Sequence, residues 1–153
     1  RNLRGEAERA GIATERLIFA SPVAQDAHIA RLACADLALD TLPYGSHTTG
    51  CDALWVGVPM LTCRGETFAG RVGASLLKTA GLPELIANSP EEYGARLQEL
   101  VAAPARLAEY RDYLQSTRGR NPLFDTAAFT RDWENMLVEI YDDAVARSIN
   151  SIL

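Results

Sequence analysis

Cysteine is scarce in this 153-residue chain, and what there is has no metal or redox spacing. Cys34, Cys51 and Cys63 form no CxxC pair. Their odd number and wide separation argue against a disulfide framework or a zinc site. Buried free thiols in a reducing compartment are expected for all three, hence a cytoplasmic protein. Long apolar runs are missing too. None reaches transmembrane length and no secretory leader is visible, so no membrane span is expected. Positive charge is in short supply: 15 Lys+Arg against 20 Asp+Glu give a formal charge of −5. With a pI near 5.0 this argues against a nucleic-acid platform, while leaving room for a local basic pocket. Neither GxGxxG nor GxxxxGK[ST] occurs, so dinucleotide and P-loop readings do not apply. There is no internal repeat, no low-complexity segment and no carboxylate pair of metal-ligand type.

What is present is an ordinary globular composition, 48% hydrophobic and 23% charged, at a length that suits one domain with a proper core. The chain opens at Arg1, without Met, inside a run that reads as a helix, so a piece of a longer protein is expected. Short apolar strands are expected at 17–20, 37–39, 60–62 and 85–87. Helices are expected at 2–10, 25–33, 49–56 and 67–80, with Gly11, Gly57, Pro59, Gly81 and Pro83 as stops. This alternation implies βαβ units: an α/β, Rossmann-like parallel sheet with helices on both faces. From Ser89 onward the strands stop. Ser89-Pro90-Glu91-Glu92 is a strong helix opening, followed by helices at 91–102, 104–116 and 126–147 and a tail at 148–153.

The stretch LALDTLPYGSHTTGCDALW, residues 37–55, organises the rest. An apolar strand runs into Asp40, turns through Pro43, Gly45 and Ser46, and reaches a helix start at Thr48-Thr49. Two readings stand side by side. In one, Thr49 caps the helix, with Asp52 in its first turn. In the other, the free N–H groups and the dipole of the helix N-terminus make an anion site. Thr48 and Thr49 then add hydroxyls, His47 an imidazole, and Asp52 an acceptor for a sugar hydroxyl. Ligands of open parallel sheets bind beyond the carboxyl ends of the strands. That edge gathers the loops 21–28, 41–49 and 63–68, which hold both histidines, His28 and His47. Arg64-Gly65-Glu66-Thr67 offers a second helix start there, or again a plain cap.

These residues carry a family resemblance. The His28 segment, ADLALDT, HTTG-x-D-x-LW, GVPMLT, GETFAGRV and GLPELIA occur in this order and at close spacing over residues 17–87. The string resembles the C-terminal catalytic lobe of O-linked N-acetylglucosamine transferases, including the SPINDLY-like and bacterial members. These are two-lobed GT-B glycosyltransferases that follow tetratricopeptide repeats. The closing helices, with Asn121-Pro122-Leu123-Phe124-Asp125, are similar more loosely.

The resemblance implies a fold equal to the C-terminal half of a GT-B enzyme, with a nucleotide-sugar-binding lobe over 1–125. Residues 126–153 would then be a C-terminal helix and tail that pack on an N-terminal lobe. It implies a UDP-sugar donor site in which His28 stacks by the uracil. His47, Thr48 and Thr49 hold the diphosphate, and Asp52 meets the ribose. It implies inverting transfer of N-acetylglucosamine from UDP-GlcNAc to Ser or Thr hydroxyls of proteins, with no cofactor and no metal. The acceptor protein would be held by segments outside this chain, where the general base also lies. One departure stands out: several members carry a lysine where this chain has Gln25. Other outcomes remain open, namely a GT-B enzyme using a different nucleotide sugar, or a non-catalytic nucleotide-sugar-binding or protein-interaction module.

Overall fold

A computed structural model describes residues 2–150. Three parallel strands form its sheet: β1 (Ala38–Leu39), β2 (Met60–Cys63) and β3 (Ile86–Ala87), in the spatial order β1-β2-β3. Ala38 pairs with Met60 and Leu39 with Leu61, while Thr62 pairs with Ile86 and Cys63 with Ala87. Helix α1 (Asn2–Arg9) and α2 (Gln25–Leu32) precede the sheet. Helix α3 (Thr48–Trp55) links β1 to β2, and α4 (Phe68–Ala80) links β2 to β3. After β3 come α5 (Pro90–Ala102), α6 (Pro104–Thr117) and α7 (Thr126–Asn150). The expected α/β fold is therefore present, with its closing helices.

Side-chain alternation along β2 sorts the two faces. Met60 and Thr62 face α3 and α4, where Gly50 and Gly73 come close to them. Leu61 and Cys63 face the opposite way, and Cys63 is near enough to Glu92 of α5 to feel its charge. All four β2 residues are buried, as expected of a central strand covered on both sides. Leu54, Leu61, Leu77, Leu82, Leu85, Leu100 and Leu114 gather into one core with Met60 and Tyr110.

Local signals explain the boundaries. Ser89 caps α5, its hydroxyl accepting from Glu92 N–H at 3.1 Å with Pro90 in the first turn. Glu92 reaches back to the N–H of Asn88, at 2.7 Å. Gly81 ends α4 in the left-handed region at φ +84°, which only glycine enters without strain.

Several expectations need correction. Residues 17–20 form no strand. They follow a single 3-10 turn (Thr14–Arg16) as irregular backbone, with Ile18 88% and Phe19 53% exposed. An apolar run becomes a strand only where a neighbouring strand satisfies its backbone, and among the described residues this run pairs with none. Cys63 alone of the thiols is buried; Cys51 is half-buried and Cys34 exposed, in the surface turn after α2. The last strand begins at Ile86, because Pro83–Leu85 makes a 3-10 turn. Helix α7 runs three residues past the expected end, to Asn150, and the rest of the tail lies outside the described residues.

Candidate nucleotide site at the carboxyl edge of the sheet

Everything at this edge hangs on the exit from β1. The Asp40 N–H still bonds Leu61 O at 3.0 Å, as part of the sheet, and the chain then turns away. Asp40 is buried, 7% exposed. Its Oδ1 accepts from the N–H groups of Thr41 (2.9 Å) and Ser46 (2.6 Å), and its Oδ2 from the Thr62 hydroxyl (2.7 Å). The loop between is closed by Thr41 Oγ1 donating to Tyr44 O at 2.9 Å, and it includes a cis Leu42–Pro43 bond. It is tied to the first turn of α4 by Gly45 N–H on Ala69 O, at 3.2 Å.

Helix α3 begins one residue earlier than the sequence suggested. His47 is its N-cap and Thr48 its first helical residue. No side chain caps this helix, so the reading of Thr49 as a plain cap, with Asp52 assisting, is overturned. His47 O accepts from the N–H groups of Gly50 and Cys51, both at 3.1 Å. The N–H groups of Thr48 and Thr49 have no partner among the described residues, and both threonines are exposed. Orphan donors at a dipole's positive end are what an anion site needs. The neighbouring loop behaves otherwise. Thr67 caps α4 by accepting from Gly70 N–H at 3.1 Å, the plain role left open for that loop.

His47 is held as a plate. Its ring stacks on Tyr44, with centroids 5.3 Å apart and planes 9° from parallel. The edge of Phe68 meets it at 6.3 Å. Its Nε2 is buried and has no hydrogen-bond partner among the described residues. A buried ring nitrogen without a partner is costly, and native structures rarely leave one so. His47, Thr48 and Thr49 line an open cleft of about 600 Å³ with Asp40, Thr41, Tyr44 and Ser46.

The structure therefore gathers three of the proposed residues, His47, Thr48 and Thr49, and joins the loop 41–49 to the loop 63–68. Asp52 lies on α3 a turn beyond them and does not line the cleft. Gln25 and His28 lie on α2, which packs against α3 but is likewise outside the cleft. His28 is half-buried, and its Nδ1 stands 3.3 Å from Arg31, whose guanidinium also bonds Ser21 O at 3.0 Å. Asp40, Tyr44 and Phe68 are the residues that sequence reasoning passed over. A lone acid at the end of an apolar strand was the available signal for Asp40.

The family model described as glycosyl transferase family 41 matches residues 1–133. The chain belongs to this family. Among family relatives, the UDP-N-acetylglucosamine–peptide N-acetylglucosaminyltransferase of Caenorhabditis elegans is 35% identical over 131 residues, 86% of this chain and 11% of that protein. The probable transferase SPINDLY of Solanum lycopersicum is 38% identical over 109 residues, 71% of this chain and 12% of its own. Among solved structures, a mutant of the Thermobaculum terrenum O-GlcNAc transferase superposes with a TM-score of 0.87 at 37% identity. That match covers 94% of this chain and 28% of the other. The family-41 chain described here thus spans about a tenth of these curated relatives and over a quarter of the solved one.

Proposed function

We propose that this chain is the donor-binding part of an inverting glycosyltransferase that moves N-acetylglucosamine from UDP-GlcNAc to Ser or Thr hydroxyls of proteins. The observation that carries this reading is the start of α3, where the N–H groups of Thr48 and Thr49 and the buried Nε2 of the preceding His47 have no hydrogen-bond partner among the described residues. The named activities of the relatives support it. In transfer, the bond between the sugar C1 and the UDP oxygen breaks, and negative charge grows on the departing diphosphate. Donors fixed beforehand at that position stabilise the charge without reorganising. His47, the two threonine hydroxyls and the dipole of α3 supply them. Asp52 meets the ribose and His28 lies along the uracil. Gln25 offers an uncharged amide to the donor.

Departure of UDP proceeds without a metal in this reading, so a chelator leaves the rate unchanged. Acceptor proteins and the general base belong to segments outside these residues. A cytoplasmic setting suits three free cysteines, one of them exposed. Residues 1–125 form the nucleotide lobe, and the helix after it packs on the other lobe.

The test is mass spectrometry of acceptor proteins incubated with the natural full-length enzyme and each UDP-sugar in turn. Addition of an N-acetylhexosamine to Ser or Thr is expected. Transfer of a plain hexose would point to another donor. Binding of UDP with no transfer at all would make this a nucleotide-sugar-binding module.

A further inference from the structure

We infer that Asp40 is a positioning residue of the nucleotide site: its buried carboxylate fixes the loop that sets His47, Thr48 and Thr49 in place. The inference rests on the donor-site reading above, but its geometry is independent of it.

The two oxygens of Asp40 do different work. Oδ1 gathers the N–H groups of Thr41 and Ser46, drawing the two ends of the loop onto one atom. Oδ2 takes the Thr62 hydroxyl, which ties the loop to the central strand β2. From the opposite face of the sheet, the Tyr93 hydroxyl of α5 donates to Asp40 O at 3.0 Å. Ser46 is the residue before His47, so wherever Oδ1 holds Ser46, the backbone of His47 must start. The Ser46 hydroxyl adds a contact to Met60 Sδ at 3.1 Å, seating the same residue on the sheet.

The surroundings are shaped for a charged carboxylate. A carboxylate accepts and never donates, and all three partners are donors. Bonds of this charge-assisted kind are about twice as strong as neutral ones. Gly73 and Gly45 open the space: a Cβ on Gly73 would overlap Oδ2, and one on Gly45 would lie 3.2 Å from it. Asp40 itself is too enclosed, and its oxygens too fully engaged, to serve a nucleotide directly. Its role runs through the loop.

Asparagine at this position keeps the shape but turns an N–H toward a donor, on one side or the other. Valine at position 62 removes the Oδ2 partner alone, and serine restores it. The experiment measures UDP affinity of the natural full-length protein and its Asp40→Asn, Thr62→Val and Thr62→Ser variants, with Tm recorded for each. The second readout is the NMR signal of the His47 ring without nucleotide, assigned from a His47→Gln spectrum.

Asp40→Asn is expected to shift the His47 ring signals and weaken UDP binding roughly tenfold, at temperatures where the variant stays folded. Thr62→Val should weaken it several-fold and Thr62→Ser should match the parent. A merely structural role would lower Tm and leave affinity and ring signals alone, and that result overturns the inference. If the parent binds no UDP, the donor-site reading falls. The ring signals then still decide the point: unmoved signals in Asp40→Asn overturn the positioning role, and shifted ones uphold the geometry.

Discussion

The rings of Tyr44 and His47 lie face to face, 5.3 Å between centroids and 9° from parallel. Tyr44 belongs to the loop that Asp40 closes, and His47 caps α3, so this stack joins the loop to the helix start. With Phe68 at the ring edge, it limits how the imidazole can turn. A fixed ring presents its Nε2 in one direction only.

Removing the stack should therefore cost binding more than folding. Tyr44 is 67% exposed, so its contribution to the core is small. An aromatic pair is worth about 0.5–1.5 kcal/mol. Tyr44→Ala is expected to weaken UDP binding by roughly 2- to 10-fold, and Tyr44→Phe to leave it near the parent value. Titration of UDP into both variants checks this. Equal losses in Phe and Ala would move the credit from the ring to the hydroxyl.

Alkaline pH should destabilise the fold through three groups. Burial pushes the Cys63 thiol up, helped by the charges of Glu92 and Glu91. Burial, then the Asp52 charge, does the same to Cys51, and burial, then Asp40, to the Tyr93 phenol. Each group holds its proton more tightly folded than unfolded. Its stabilising effect is complete below the unfolded value, 9.0 for the thiols and 10.0 for the phenol, and is lost as pH rises through the higher folded value. Denaturant melts from pH 8 upward should show stability falling above about pH 9. Tyr93→Phe should flatten the later part of that fall, and an unchanged slope would count against the phenol's share.

At the acid end the sign reverses. The backbone N–H groups at the start of α5 hold Glu91 low, with Ser89 assisting. The N–H of Asn88 is the main cause for Glu92, followed by its side chain and then Arg96. Their stabilisation is full above the ordinary carboxylate range and fades as pH drops through the depressed values. Ser89→Ala removes the cap as well, an effect of about 1 kcal/mol that a thermal melt at neutral pH reads directly. A melt indistinguishable from the parent would show that Pro90 alone starts the helix.

Helix α7 exposes Phe129, Trp133, Met136, Leu137 and Ile140. At 100° per residue these share one face, and Val138 lies opposite. If that face packs on the other lobe, Trp133→Glu or Ile140→Glu should lower the Tm of the natural full-length protein by roughly 2–8 °C. Val138→Glu should not. Equal shifts from all three would leave the face without a partner.

Much of this was legible in the sequence, for identifiable reasons. Caps and stops are local chemistry, so Ser89-Pro90 and Gly81 marked helix ends correctly. The order of strands and helices followed from their alternation. Strand 17–20 failed because pairing is not local: the run has strand composition and no partner strand among the described residues. Thr49 looked like a cap because composition alone does not say which residue bends out of the helix; His47 does. Asp40 was passed over because its importance lies in Thr62, twenty-two residues on, and in the space beside Gly73. Burial of cysteine, inferred from apolar neighbours, held only where a central strand enforced it.

In the proposed function, the start of α3 binds the diphosphate of a UDP-sugar. Calorimetric titration of UDP into the natural full-length protein, with and without a chelator and in parallel with His47→Ala, tests it most directly. Saturable binding that the chelator leaves alone is expected. The variant is expected to lose most of this binding while staying folded, with turnover down by ~10²–10³. A folded parent that binds no UDP, or a His47→Ala variant that binds and turns over like the parent, would contradict it.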